Sequence, residues 1–129
     1  MPVINLVMFE GRSKEQKKNI IAQIKKSYNE AFKIEKDILH FRVNEYDHCD
    51  LVVPQICSDN YASIEVDMMP GKKQQEKELF FSFLGKNLQQ MGIESNDIYI
   101  RIREPALENW SVRGKTGAEI RNNNRQNNV

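Results

Sequence analysis

At 129 residues, about 40% of them hydrophobic, the chain is the length of one compact domain able to bury a modest core. A formal net charge of +1 leaves no broad basic field to draw it to a polyanion, so nucleic acid is not expected as a partner. No apolar run is long enough to cross a bilayer, the start lacks the pattern of a signal peptide, and two cysteines, Cys49 and Cys57, are too few for a disulfide framework, so a cytoplasmic protein with reduced thiols and no membrane partner is expected.

The first element is a β-branched, apolar run from Val3 to Phe9, led by a proline at position 2. Gly11 supplies a turn, and Ser13 with Gln16 forms an S-x-x-Q capping box that opens a helix. That helix carries Ile20, Ile21, Ile24, Tyr28, Ala31 and Phe32 on one side, with most of its lysines on the other. A second strand follows at "LHFRVNE". Next, "YDHCDLVVPQICSDN" has the turn-rich content of a connecting loop, with room for a short strand at Leu51–Val53. His48, Cys49, Asp50 and Cys57 lie close together there, but their spacing fits no strong zinc pattern and no metal is expected. A third strand runs through "IEVDMM", and a second amphipathic helix carries Leu79, Phe80, Phe83, Leu84, Leu88 and Met91. "GIESND" ends that helix before a strand at Ile98–Arg103. "NWSVRGKTG" reads as a hairpin or arm, and "RNNNRQNNV" as a polar tail without a core-forming pattern.

Sliding the chain by sixty positions lays Ile4 over Ile64, Met8 over Met68, Gly11 over Gly71 and Lys17 over Lys77, and the register continues ungapped to Asp37-Ile38 over Asp97-Ile98. One offset kept across strand, turn, helix and second strand marks an internal duplication. The expected fold is α/β in the α+β sense: a β-α-β unit used twice, over about 2–45 and 62–105, in a single domain spanning 1–120. Such a fold gives a four-stranded sheet with two helices on one face and a short C-terminal hairpin, with 121–129 left as a disordered tail. The sheet's other face then needs cover, which implies an oligomer.

A proline directly after the initiator methionine, the turn "EGRSKEQKKNI", the duplicated β-α-β and the segment "NWSVRGK" together resemble the tautomerase superfamily. Within it the chain is most similar to the malonate semialdehyde decarboxylase-like members of about this length. The resemblance runs from Pro2 to about Gly117 and implies a homotrimer without cofactor, acting on a small carboxylate-bearing substrate. It also implies that Pro2, freed by removal of Met1, serves as general base and acid. A free α-amine titrates near about 7.7–8.0, and an apolar pocket with nearby cations would lower it toward working pH.

The relatives hold the substrate carboxylate with two arginines flanking a proline between third strand and second helix, where this chain has Met69 and Gly71 in "MMPGKKQQ". Lys72 and Lys73, at the start of the second helix, are the next cations in line. Arg113 is the preferred cation of the C-terminal arm, and Trp110 an apolar wall near Pro2. Arg12 reads as surface charge, and nothing chooses among Arg42, Arg101 and Arg103. The decarboxylase's aspartate falls on Ile38, one position beyond Asp37, which reads as a turn residue matching Asp97. The expected function is enol–keto isomerisation of small 2-oxo acids such as phenylenolpyruvate. The alternatives are a decarboxylase or hydratase-like enzyme on unsaturated or oxo acids, and a non-catalytic relative that keeps the scaffold.

Overall fold

Alternating apolar residues build the centre of the sheet. In the computed structural model, which describes residues 2–127, strand β1 (Val3–Phe9) buries Ile4, Leu6 and Met8 on one face. Strand β3 (Ala62–Asp67) buries Ala62, Ile64 and Val66 on the same side. The two pair antiparallel, Ile4 opposite Val66 and Leu6 opposite Ile64. Each is flanked by a parallel partner, β2 (His40–Tyr46) beside β1 and β4 (Ile98–Arg103) beside β3, giving the order β2-β1-β3-β4. Helices α1 (Lys14–Phe32) and α2 (Gln74–Gln90) are the crossovers, and both lie on the face that carries the buried strand residues. The core between sheet and helices includes Ile20, Ile24 and Tyr28 of α1 and Phe80, Leu84 and Leu88 of α2. Tyr28, Phe32 and Phe80 meet with centroid spacings of 4.7–5.7 Å.

The duplication seen in sequence is a physical symmetry. Gly11 and Gly71 close the two strand-to-helix turns with nearly equal φ of +124° and +122°, a conformation that favours glycine. Lys17 of α1 reaches Glu45 on one edge strand, and its mate Lys77 of α2 reaches Glu104 just beyond the other. Ser27 and Asn87, sixty positions apart, meet where the helices cross, the Asn87 amide donating to the Ser27 hydroxyl at 2.9 Å. A residue bonding to its own repeat mate lies on the local twofold axis.

After β4 the chain forms a small arm. A short 3-10 turn at Leu107–Asn109 leads into a two-stranded hairpin, β5 (Ser111–Val112) with β6 (Lys115–Thr116), and then helix α3 (Gly117–Asn127). Arg113 and Gly114 carry φ of 52° and 78° in the hairpin turn.

Three expectations change. Leu51–Val53 is irregular rather than a strand. The segment from 121, expected as a disordered tail, is helical to Asn127, because the Thr116 hydroxyl caps α3 by accepting from the Glu119 amide at 3.2 Å and Arg121 ties it back to the domain. Residues 128–129 of that tail lie outside the described residues. Asp37 and Asp97 are not equivalent: Asp37 is exposed beside Lys25, whereas Asp97 is buried and accepts from the Ser58 amide at 2.6 Å and the Ser58 hydroxyl at 2.5 Å. The helix-free face of the sheet carries ion pairs, Arg101 on Glu65 at 2.7 Å and Arg103 on Asp67 at 2.6 Å, beside the exposed rings of Tyr46 and Tyr99. No helix of the described residues is long and apolar enough to cross a membrane.

Candidate active site

The sheet register decides what surrounds Pro2. Val3 pairs with His40 on one side and with Asp67 on the other, so the start of β1, the start of β2 and the end of β3 lie at one end of the sheet. Because β3 and β4 run parallel, the end of β4 is there too, as is the amino terminus of α2 that follows β3. Helix α1 runs back against β1 and delivers Phe32 to the same end. Pro2 is buried in this setting, its carbonyl accepting from the His40 amide at 3.0 Å. Proline has no amide hydrogen to leave unpaired and a ring that fixes its φ, so it suits the buried first position of a central strand.

Opposite Pro2 runs the turn from Met68 through Gly71, with Met68 held by its amide donating to the Arg103 carbonyl at 3.0 Å. Lys72 stands at this end with its ammonium 5.7 Å from the Phe32 ring centroid. Its repeat mate Arg12 stands at the opposite end. There the Arg12 guanidinium is partly buried, donating to the Asn60 carbonyl at 2.6 Å and to the Met8 sulfur at 3.1 Å. Burial pushes its pKa below the usual arginine value, so Arg12 is an internal clamp on the long loop rather than surface charge. Lys73 is the N-cap of α2, exposed, its backbone amide donating to Glu76 at 3.0 Å.

Trp110 is half-buried in the arm, its indole N–H donating to the Pro105 carbonyl at 3.0 Å. Arg113 is exposed in the hairpin turn. Arg101 and Arg103 are engaged by Glu65 and Asp67, and the Asp67 carboxylate raises the Arg103 pKa above its ordinary value. Pro2 and Lys72 are therefore brought to one end of the fold with the start of α2, while Arg113 and Trp110 belong to the arm beside it. Among the described residues no group of three His, Cys, Asp or Glu gathers as a metal site: His48 pairs with Asp59 at 2.8 Å and stacks on Phe9.

One residue at this end was not expected. The Arg121 guanidinium donates to the Pro70 carbonyl, and its Nη2 lies 3.2 Å from where a Cβ at Gly71 would stand. It was hidden by the asparagine-rich composition after it, although Thr116 and Glu119 form the T-x-x-E signature of a helix start.

Two family models, both described as tautomerase enzyme, match this chain, one over residues 39–113 and the other over 2–53. The chain belongs to the tautomerase family. Solved structures share the fold. FG41 malonate semialdehyde decarboxylase inhibited by 3-bromopropiolate superposes with a TM-score of 0.80 at 20% identity, covering 94% of this chain and 96% of that one. A fused 4-OT solved as an asymmetric trimer gives a TM-score of 0.80 at 13% identity, over 92% and 98% of the two chains. A member of the cis-3-chloroacrylic acid dehalogenase family gives 0.76 at 14%, over 88% and 82%. Proteins with decarboxylase and dehalogenase names thus share this architecture.

Proposed function

We propose that this tautomerase, once Met1 is removed, interconverts the enol and keto forms of a small 2-oxo acid such as phenylenolpyruvate, without a cofactor and as a homotrimer. The observation that carries the reading is the burial of Pro2 at the sheet end that also receives the amino terminus of α2. After methionine removal the Pro2 nitrogen is a secondary amine. Burial and the positive end of the helix both disfavour its charged form and lower its pKa, which suits a base at neutral pH.

In the ketonisation direction the amine takes the enol hydroxyl proton while the oxygen becomes a carbonyl. The displaced carbon–carbon electron pair then takes the proton back from the ammonium at C3, so the amine is regenerated. Lys72 supplies positive charge for the substrate carboxylate, with Lys73 and the α2 terminus adding to the field. Trp110 and Arg113 bound the site from the arm side. Two relatives support a small acid as ligand: the FG41 decarboxylase was solved inhibited by 3-bromopropiolate, and Pt0534 inactivated by 2-oxo-3-pentynoate.

Intact mass establishes whether Met1 is absent, since its retention leaves Pro2 a non-basic tertiary amide. With Met1 absent, Pro2→Ala is expected to slow ketonisation by about 10²–10⁴-fold. The wild type should also gain the mass of one 3-bromopropiolate-derived adduct located on Pro2 by peptide mapping. Equal rates for the processed wild type and Pro2→Ala would remove the base role.

A further inference from the structure

We infer that Arg121, delivered by the C-terminal helix, is the residue that grips the substrate carboxylate at the Pro2 end of the sheet; this rests on the functional reading above. The cation is placed by a built arm. The Trp110 indole is pinned to the Pro105 carbonyl at 3.0 Å, and the Gly117 amide donates to the Trp110 carbonyl at 2.9 Å. Gly117 sits so tightly that a Cβ there would overlap the Leu107 carbonyl oxygen, which fixes where α3 begins. One helical turn on, the Arg121 side chain reaches the Pro70–Gly71 turn and donates to the Pro70 carbonyl.

The turn is shaped to receive it. Gly71 has φ +122° and no side chain, and a Cβ there would stand 3.2 Å from the Arg121 Nη2, so the absence of bulk at 71 makes room for the guanidinium. The turn is anchored through Met68, the residue just past the end of β3, whose last residue Asp67 pairs with Val3 at the start of β1. Arg101 and Arg103 have their forks turned to Glu65 and Asp67, whereas among the described residues no carboxylate pairs with Arg121. A guanidinium has five N–H donors in a planar fork, and one carbonyl leaves donors for a bidentate carboxylate. Lys72 alone gives only a point charge; Arg121 adds the orientation that a lysine lacks.

The test compares wild type, Arg121→Ala and Arg121→Lys in ketonisation of phenylenolpyruvate and of its uncharged methyl ester, with melting curves confirming that each variant is folded. For the acid, Arg121→Ala should raise KM about 10- to 100-fold with kcat changed only a few-fold, and Arg121→Lys should recover part of the loss. For the ester, wild type and Arg121→Ala should have the same KM. Equal loss on acid and ester would make Arg121 a prop for the arm and overturn the assignment, as would an unchanged KM for the acid. If Pro2 proves not to be the base, titration of phenylpyruvate against the fluorescence of Trp110, the only tryptophan, still decides. Weaker binding by Arg121→Ala supports the assignment, while equal binding, or none by wild type, overturns it.

Discussion

Arg12 and Lys72 occupy equivalent positions sixty residues apart, yet burial has given them different work. Arg12 is partly enclosed and donates to main-chain carbonyl and sulfur, while Lys72 rides over the face of Phe32 at the Pro2 end. Sequence could align them but could not show that the loop closes over one of them, because enclosure comes from residues near 60 that are distant in the chain. Tyr28 is a second case in which burial sets the chemistry. It packs among Phe32 and Phe80, and desolvation pushes its hydroxyl pKa well above the ordinary tyrosine value. The folded protein therefore resists ionising Tyr28 while the unfolded chain ionises it near about pH 10. The stability this difference involves is intact below that pH and is lost as pH rises from there toward the folded-state value. Melting temperature measured from pH 8.5 to 11.5 should fall with pH more steeply for wild type than for Tyr28→Phe. Parallel curves would show that Tyr28 has no part in alkaline unfolding.

At the level of elements, helices α1 and α2 begin with unequal caps although the glycines of the turns before them share nearly the same φ. Ser13 accepts from the Gln16 amide at 3.1 Å while the Gln16 side chain accepts from the Ser13 amide at 2.8 Å, completing the box. At α2 only the return half exists, because the Lys73 side chain has no acceptor and Glu76 alone reaches back to the Lys73 amide. Lys73→Ser should complete the second box and stabilise the protein by about 0.5–1 kcal/mol, whereas Ser13→Ala should cost about 1 kcal/mol. Urea unfolding of both variants checks the pair, and a Lys73→Ser variant no more stable than wild type would mean that the start of α2 is held by other contacts. The four strands of the sheet, helices α1 and α2 and the hairpin were legible because each has a local signal: alternation, a 3.6-residue stripe, a capping pattern or a glycine turn. Helix α3 was not, because the contacts that hold its start, the Thr116 cap, the seat of Gly117 against Leu107 and Trp110, and the long-range reach of Arg121 to Pro70, are set against a sequence whose composition reads as solvated chain. The candidate site divides in the same way: Pro2 and Lys72 could be singled out in the sequence, but that they share one end of the sheet follows from the strand register, and Arg121 comes to that end from outside the repeat.

For the whole molecule, the long loop between the repeats adds a second reason to expect assembly to that given by the open sheet face. The open face is mixed, with ion pairs such as Arg101–Glu65 beside the exposed Tyr99 and Tyr46. The loop is more strongly apolar. Val52 is 87% exposed and Ile56 65% exposed, with Tyr46 and Val43 of the β2 edge also open to solvent. Among the described residues both edge strands, β2 and β4, lack an outer neighbour in the sheet, and open edges are places where chains meet. The homotrimer proposed above would cover these residues with second and third copies of the chain. Burying an aliphatic side chain of this size contributes about 1.5–3 kcal/mol, and a closed trimer repeats the contact three times. Light scattering of the wild type should give three times the chain mass. Val52→Asp combined with Ile56→Asp should shift it toward the monomer at the same concentration, since each carboxylate would have to be desolvated in the interface. A variant that remains as tightly trimeric as wild type would place the subunit contact away from this loop, and a monomeric wild type would remove the assembly altogether.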